Sequence, residues 1–372
     1  MNKKIFGGIA VVVILIFAYI AIGTTKQTVS SHTTQTTEPV TIGIVLPLSG
    51  EAATYGEAAQ RGAELAMEKT NTENKTKVKL VYEDSQMDPK KAVSALQKLV
   101  TLDKVRYIIG FSSGEALAMC PVAEANKAIL LVLGSSPDIS NCGDYTFRDI
   151  PSDSYQAKVM ASTLTEKGLK KVAVIYINNE YGKGLADEFK KDFTGEIVAF
   201  EAVNTGETNF RTQLTKIKST NPDALFVISQ APESYSLLKQ RVEVGLTQPL
   251  FGSEAFKDDN VFKNVSAEAL RDVYAIFLAP YNGAEFASYN SAHMTKYNQA
   301  PGAFAEFMYD NVLILAEAVQ ACEATDTDCV KDTIYKTDMV GATGDLRFDQ
   351  NGDVKDKSYQ LYKAENGVFV GA

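Results

Sequence analysis

VTIGIVLPLSGEAATYGEAAQRGAELAME (Val40–Glu68) and KKVAVIYINNEYGKGLADEFKKDF (Lys170–Phe193) follow one plan: an apolar run, a Tyr-Gly pair, then a helical stretch. A second strand, loop and helix follows each, as KLVYEDSQMDPKKAVSALQKLV from Lys79 and IVAFEAVNTGETNFRTQLTKIK from Ile197. The third unit is YIIGFSSGEALAM from Tyr107 and ALFVISQAPESYSLL from Ala224. The fourth strands are AILLVLGSS from Ala128 and QPLFGSEAF from Gln248. Short apolar runs alternating with amphipathic helices predict strands buried on both faces of a parallel sheet. Two such series predict two doubly wound α/β lobes, with a cleft between them. In these sheets ligands bind beyond the carboxyl ends of the strands, so function belongs to the cleft.

Local signals refine the elements. Asp88-Pro89 starts the helix that carries Ala92–Val100, and Thr208 and Asn209 are cap candidates before Phe210, Leu214 and Ile217. Beyond the repeat, Phe304–Val319 reads as a long helix and Val330–Tyr335 as another. GATGDLRFDQNGD (Gly341–Asp353) reads as a hairpin turning at Asp349, Asn351 and Gly352, and YQLYKA and VFV form a last strand pair. These late elements must complete the lobes, so the chain crosses between them more than once.

With 372 residues the chain has room for two cores. A net charge of −9 without a Lys/Arg stripe argues against nucleic acid. Only two histidines occur, His32 and His293, so a His-based triad lacks material, and no Cys/His spacing suits zinc. No nucleophile-base pair, metal cluster or phosphate-cradling lysine loop stands out; the expectation is a non-enzymatic protein without a cofactor.

MNKK precedes an apolar stretch from Ile5 to Gly23. That stretch is near the ~20 residues that span a bilayer and longer than the roughly 7–15-residue core of a cleaved signal. Residues 1–23 are therefore an export signal or an anchor, with length favouring the anchor and everything after Gly23 outside the cytoplasm. Residues 24–39, rich in Ser and Thr, read as a flexible linker. Four cysteines suit an oxidising compartment: Cys120, Cys142, Cys322 and Cys329. Three pairings are open; pairing of sequence neighbours is expected, since it staples local loops.

The loops ending the third and fourth strands differ between the copies. Lobe one carries Ser112, Ser113 and Gly114, then Gly134, Ser135 and Ser136, each before an expected helix. Singly these serines are helix caps; together, at equivalent strand ends, they make a wall for a carboxylate or other anion. Lobe two carries Gln230, then Gly252, Ser253 and Glu254. An acid facing the cleft at Glu254 would neutralise a cation such as an ammonium. Tyr55 and Tyr181 hold the same place in each copy and offer an apolar face with a hydroxyl, fit for cleft walls. A carboxylate end and an ammonium end describe recognition of an α-amino acid.

Several stretches in this order resemble periplasmic binding proteins of the leucine/isoleucine/valine-binding type. They are Pro47–Ala66, Glu83–Val93, Gly110–Ala118, FRDIPSDSYQA (Phe147–Ala157), Asn179–Asp187, Phe251–Phe256 and Gly341–Asp353. The resemblance implies a type I periplasmic-binding-protein fold, with two lobes joined by three hinge crossings near Ile150–Ser152, Pro280 and Lys355–Ser358. Lobe one would comprise 40–151 and 281–356, and lobe two 152–280 and 357–372. It implies Ser113 and the Ser135 loop for the ligand carboxylate and Glu254 for the ammonium, with Tyr55, Tyr181 and Gln230 lining the cleft. The lobe-one loops are slightly shorter than in leucine-binding members, so Ser112 and Ser136 stand as alternates. The position of Gln230 is often aromatic there, which bears on the side-chain pocket. The implied role is a monomeric receptor that passes an aliphatic amino acid to an ABC permease. The alternatives are a sensory module, or a binder of small amides or urea-like solutes.

Overall fold

The computed structural model describes residues 38–372 except 51, 258–259 and 323–325. The expected anchor and most of the linker lie outside the described residues. Among those described, no helix is long and apolar enough to cross a membrane.

Strands β1 (Val40–Leu46), β2 (Val78–Asp84), β3 (Tyr107–Gly110), β4 (Ile129–Val132) and β5 (Thr146–Arg148) form one parallel sheet in the order β2-β1-β3-β4-β5. The second sheet contains β6 (Lys171–Ile177), β7 (Glu196–Val203), β8 (Ala224–Ile228), β9 (Leu250–Gly252) and β10 (Val273–Leu278). Their order, β7-β6-β8-β9-β10, repeats the first sheet strand for strand. β5 and β10 are fifth strands that the sequence repeat did not include. Two antiparallel strands, β13 (Tyr359–Glu365) and β14 (Val368–Gly371), extend the second sheet beyond β10.

Both faces of each sheet are apolar, which is why the strands read as unbroken hydrophobic runs. Ile42, Ile44, Ile109 and Leu131 point into one core of lobe one, while Val45, Ile108, Leu130 and Val132 point into the other. In lobe two, Ile175, Leu225 and Val227 face one core, and Val174, Phe226 and Ile228 face its counterpart. The period-2 alternation of a pleated strand thus feeds two cores at once.

The Tyr-Gly pair has a packing cause. Helix α1 (Ala53–Glu73) and helix α5 (Glu180–Asp192) each lay their first turn against the end of the preceding strand. A Cβ on Gly56 would sit 2.1 Å from the Pro47 carbonyl oxygen, and one on Gly182 2.2 Å from that of Ile177. Only glycine allows both approaches, so the pair recurs because the geometry recurs. The intervening helices are α2 (Pro89–Gln97), α3 (Ser113–Ala125) and α4 (Asp153–Glu166). Asp88 caps α2 by accepting from the amides of Lys90 at 2.7 Å and Lys91 at 3.3 Å. Helices α6 (Arg211–Ser219), α7 (Ala231–Glu243), α8 (Val261–Asn264), α9 (Ala284–Tyr297), α10 (Ala305–Ala321) and α11 (Thr327–Ile334) follow.

The chain passes between the sheets three times: after Arg148, after Leu278 and before Tyr359. The segment between the last two crossings returns to lobe one, where α10 buries Met308, Val312 and Leu315 in its core. Cys120 bonds to Cys142 and Cys322 to Cys329, the neighbour pairing.

Three local expectations are refined. Phe210, not Thr208 or Asn209, holds the N-cap position of α6, although Asn209 Oδ1 still accepts the Arg211 amide at 3.4 Å, and Glu207 accepts the amides of Thr208 and Asn209 at 2.9 Å. The late hairpin pairs β11 (Met339–Gly341) with β12 (Gly344–Leu346), turning at Ala342–Thr343. The turn expected at Asp349, Asn351 and Gly352 is present as well: Asp349 accepts from the amides of Asn351 and Asp353, and Phe348 and Val354 form an antiparallel bridge beside it. After Ser136 comes a 3-10 turn, Pro137–Asn141, rather than an α-helix, and Gly143 at φ +116° ends it.

Candidate functional site

The carboxyl ends of the two sheets face each other, and the strand-end loops meet there. In lobe one, Ser112 caps α3 in a capping box: its Oγ donates to Glu115 at 2.8 Å, and the same carboxylate accepts its amide at 3.1 Å. That bond turns the Ser112 hydroxyl into its own helix. Ser113 is the first helical residue, and its Oγ accepts from the amides of Ser135 and Ser136, both at 3.1 Å. The two serine loops are therefore stitched together, and the Ser113 proton remains to be donated elsewhere. Ser136 is 1% exposed, and its Oγ has no partner among the described residues.

Behind this wall lies a fully buried arginine. Arg148 donates through Nε to Asp353 at 2.6 Å and through a terminal nitrogen to the Ser136 carbonyl oxygen at 2.6 Å. Its other terminal nitrogen reaches Ser140 Oγ at 2.7 Å and Asp353 at 2.9 Å. A bidentate pair satisfies the guanidinium and holds the 134–141 loop in place.

Lobe two presents acids. Glu254 opens the 3-10 turn Glu254–Phe256 and is buried at 8% exposure. The Gln156 side chain donates to its carboxylate and accepts the Glu254 amide at 3.3 Å. Tyr181 donates to Ser253 Oγ at 2.8 Å. Asp153, wholly buried in the first turn of α4, accepts from Ser135 Oγ at 3.1 Å and donates its amide to the Ser135 carbonyl at 2.8 Å. Its other carboxylate oxygen has no partner among the described residues.

Electrostatics make this a strained group. Burial, then the charge of Glu254, pushes the Asp153 carboxyl well above its ordinary range. Burial raises Glu254 as well, against the hydrogen bonds from Gln156 and Tyr181. The phenols of Tyr181 and Tyr359 are pushed up by burial and then by the nearby Glu254 and Asp153. Two carboxylates buried side by side, with one oxygen orphaned, call for a cation.

The structure thus brings Ser113, Ser135, Ser136, Tyr181 and Glu254 into one cluster, and turns Ser112 away from it. Tyr55 stands in the first turn of α1, edge-on to Phe304 at 5.9 Å, which is edge-on to Phe111 at 5.6 Å. Gln230 takes the N-cap position of α7, half-buried, its carbonyl accepting from Ser234. Among the residues that sequence reasoning missed are Asp153, Gln156, Ser253, Tyr359 and Phe304. Asp153 and Gln156 lie within Phe147–Ala157, a stretch read for the family resemblance and a crossing but not for ligand contacts. Phe304 adopts φ +67°, a left-handed backbone that a bulky residue rarely takes. Strain of this kind clusters at ligand clamps.

Known proteins resemble this chain in sequence and fold. The chain is 28% identical to Leu/Ile/Val-binding protein homolog 1 of Brucella abortus, covering 99% of this chain and 98% of that one. It is 25% identical to a leucine-, isoleucine-, valine-, threonine- and alanine-binding protein of Pseudomonas aeruginosa, over 88% and 90% of the two chains. The structure of the branched-chain amino acid transporter substrate-binding protein LivJ from Streptococcus pneumoniae, in complex with isoleucine, superposes with a TM-score of 0.80. That match covers 90% of this chain and 100% of LivJ at 29% identity. A solute-binding protein of R. palustris in complex with benzoate has a TM-score of 0.81 at 22% identity, over 90% of this chain and 95% of that one, a likeness of fold alone. The profile of the family described as periplasmic binding protein matches residues 39–368, nearly the whole folded body. Two like-ordered sheets, three crossings and a cleft between their carboxyl ends are what that match covers: the chain belongs to the periplasmic binding protein family.

Proposed function

We propose that this protein is the extracytoplasmic receptor of an ABC importer and captures an aliphatic α-amino acid in the cleft. One observation carries the choice of ligand. The serine wall of lobe one offers the hydroxyls of Ser113 and Ser136, while lobe two presents the buried pair Asp153 and Glu254. A zwitterion satisfies both ends: its carboxylate takes Ser113 and Ser136, and its ammonium takes Glu254 and Asp153. Tyr55 and Phe304 would flank the side chain, with Tyr181 closing the polar end. A benzoate-like acid supplies no cation to the acid pair, which argues against that class here.

The lobes, 40–151 with 281–356 and 152–280 with 357–372, would close as rigid bodies about the crossings, a ligand-driven shift of population. Residues 5–23 would anchor the body, as a monomer, beside a membrane permease. The reading includes no chemistry on the ligand.

A thermal-shift screen of Val40–Ala372 against amino acids, small amides and aromatic acids tests it. That fragment matches the compact unit Pro39–Ala372. A ligand at a hundred times its Kd adds about 2.7 kcal/mol of stability, a plain rise in melting temperature. Branched-chain amino acids should give the largest rise. A rise with benzoate or urea and none with any amino acid would reject the assignment.

A further inference from the structure

Outside the cleft, a cluster of buried charge sits where the chain crosses between lobes. Asp149 ends the first crossing on its lobe-one side and is fully buried. Asn311 of α10 donates to its Oδ1 at 3.1 Å, and its Oδ2 has no partner among the described residues. The neighbouring Asp310, also fully buried, accepts from the Ala342 amide at 2.7 Å. It accepts from the Thr343 amide at 2.8 Å and from the Thr343 hydroxyl at 2.7 Å as well. Lys357, on the third crossing, donates to the Thr343 carbonyl oxygen at 2.6 Å and to its Oγ1 at 3.0 Å. Tyr281, on the second crossing, packs against Gly344, whose Cβ would lie 3.2 Å from the ring.

The second and third crossings therefore meet at the β11–β12 hairpin, on Gly344 and Thr343, and Asp149 of the first is linked to them through the charges of Asp310 and Lys357. Two carboxylates and one ammonium share the site. Burial raises Asp149, with the charge of Asp310 adding to it, and raises Asp310 to about 6. Burial lowers Lys357 while Asp310, Asp149 and Asp345 hold it up. Removing the lysine leaves two buried acids facing each other with no counter-charge.

We propose that Lys357, through Thr343 and the Asp310–Asp149 pair, is a positioning residue that sets ligand affinity by holding the hinge in its closed arrangement. It touches no cleft residue in the cluster described above; it acts on the equilibrium between open and closed lobes. Apparent affinity scales with the closed fraction, so a hinge residue can change Kd from a distance. The mechanism rests on the hinged-receptor reading, but its first test needs no ligand.

Spin labels at Lys90→Cys on lobe one and Lys190→Cys on lobe two of the full-length protein report the interlobe distance distribution by pulsed electron resonance. In ligand-free protein, Lys357→Met should cut the closed fraction about tenfold, and L-isoleucine should then bind with a Kd about tenfold higher. Lys357→Arg should restore most of both. Thr343→Val, which keeps the carbonyl acceptor, should give a smaller shift in the same direction, and serves if Lys357→Met fails to fold. Distance distributions unchanged in Lys357→Met and Thr343→Val overturn the proposal, even if both melt earlier. A wild type that ignores isoleucine counts against the ligand class and leaves the distance test standing.

Discussion

Lobe one and lobe two share five strands in the same order and a Tyr-Gly turn in the same place, yet their strand ends carry opposite chemistry. Lobe one closes its third and fourth strands with hydroxyls and amides, while lobe two brings Glu254 and, through α4, Asp153. Duplication supplies the scaffold, and divergence at a few loop positions supplies the polarity of the cleft. The cores are alike, so differences in function are confined to residues that packing does not dictate.

The sharpest way to break this polarity is Glu254→Gln. The substitution keeps the hydrogen-bond geometry with Gln156 and removes one buried charge. Truncating one partner of a desolvated charge pair costs roughly 2–5 kcal/mol, so about 3 kcal/mol, near a hundredfold in Kd, is expected. Isothermal calorimetry with L-isoleucine measures it; an unchanged Kd would remove Glu254 from the ammonium end.

The lobes also differ in covalent reinforcement: among the described residues both disulfides belong to lobe one. The Cys120–Cys142 bond spans 22 residues and the Cys322–Cys329 bond spans 7. A chain-entropy estimate gives about 3 kcal/mol for the longer loop and about 2 for the shorter. Cys120→Ser with Cys142→Ser should therefore lower lobe-one stability by about 3 kcal/mol, and calorimetric unfolding should split into two transitions. A single transition at the wild-type temperature would mean that the bond contributes nothing the cores do not already supply.

Most of the scaffold was legible in the sequence because it rests on repeated patterns. Buried runs such as Val172–Ile177 and the Tyr55-Gly56 and Tyr181-Gly182 pairs announce strands and tight first turns. The fifth strand of lobe one was not legible: Thr146–Arg148 is three residues long and contains a buried arginine, which no hydrophobic pattern reveals, whereas that of lobe two, VYAIFL (Val273–Leu278), is an apolar run lying outside the repeat. Glu254 and Ser113 stood out because they break the symmetry of the repeat. Asp153 did not, since it lies after the repeat's fourth strand and reads as an ordinary first-turn acid. Its significance comes only from tertiary approach to Glu254 and Ser135. Ser112 and Ser113 are chemically identical in sequence, and only Glu115, three residues beyond Ser112, separates a cap from a cleft hydroxyl.

That distinction gives the next test. Ser113→Ala removes the acceptor shared by the amides of Ser135 and Ser136 along with the hydroxyl available to a ligand carboxylate. A hydrogen bond to a charged group is worth about 1.5–3 kcal/mol, so Kd for L-isoleucine should rise roughly thirtyfold. Ser112→Ala should lose a helix cap instead, costing about 1 kcal/mol of stability with little change in Kd. The reverse pattern would exchange their roles.

The smallest effect concerns how closely the two lobes can approach. Gly184 on α5 of lobe two meets Pro137 of lobe one: a Cβ there would lie 2.9 Å from the proline ring and 3.2 Å from Ser136 Oγ. Gly184 is helical and needs no unusual backbone, so Gly184→Ala is compatible with its own lobe and even favours the helix by about 1 kcal/mol. The added methyl instead obstructs the closed arrangement, where the proline must give by a few tenths of an ångström. The expected result is a protein that melts no lower than wild type without ligand, yet binds L-isoleucine about fivefold more weakly through a faster off-rate. Stability and affinity moving in opposite directions would mark Gly184 as a site where lobe-to-lobe fit, not the fold of either lobe, selects the residue. Weaker binding with an equal loss of stability would place the clash inside lobe two instead.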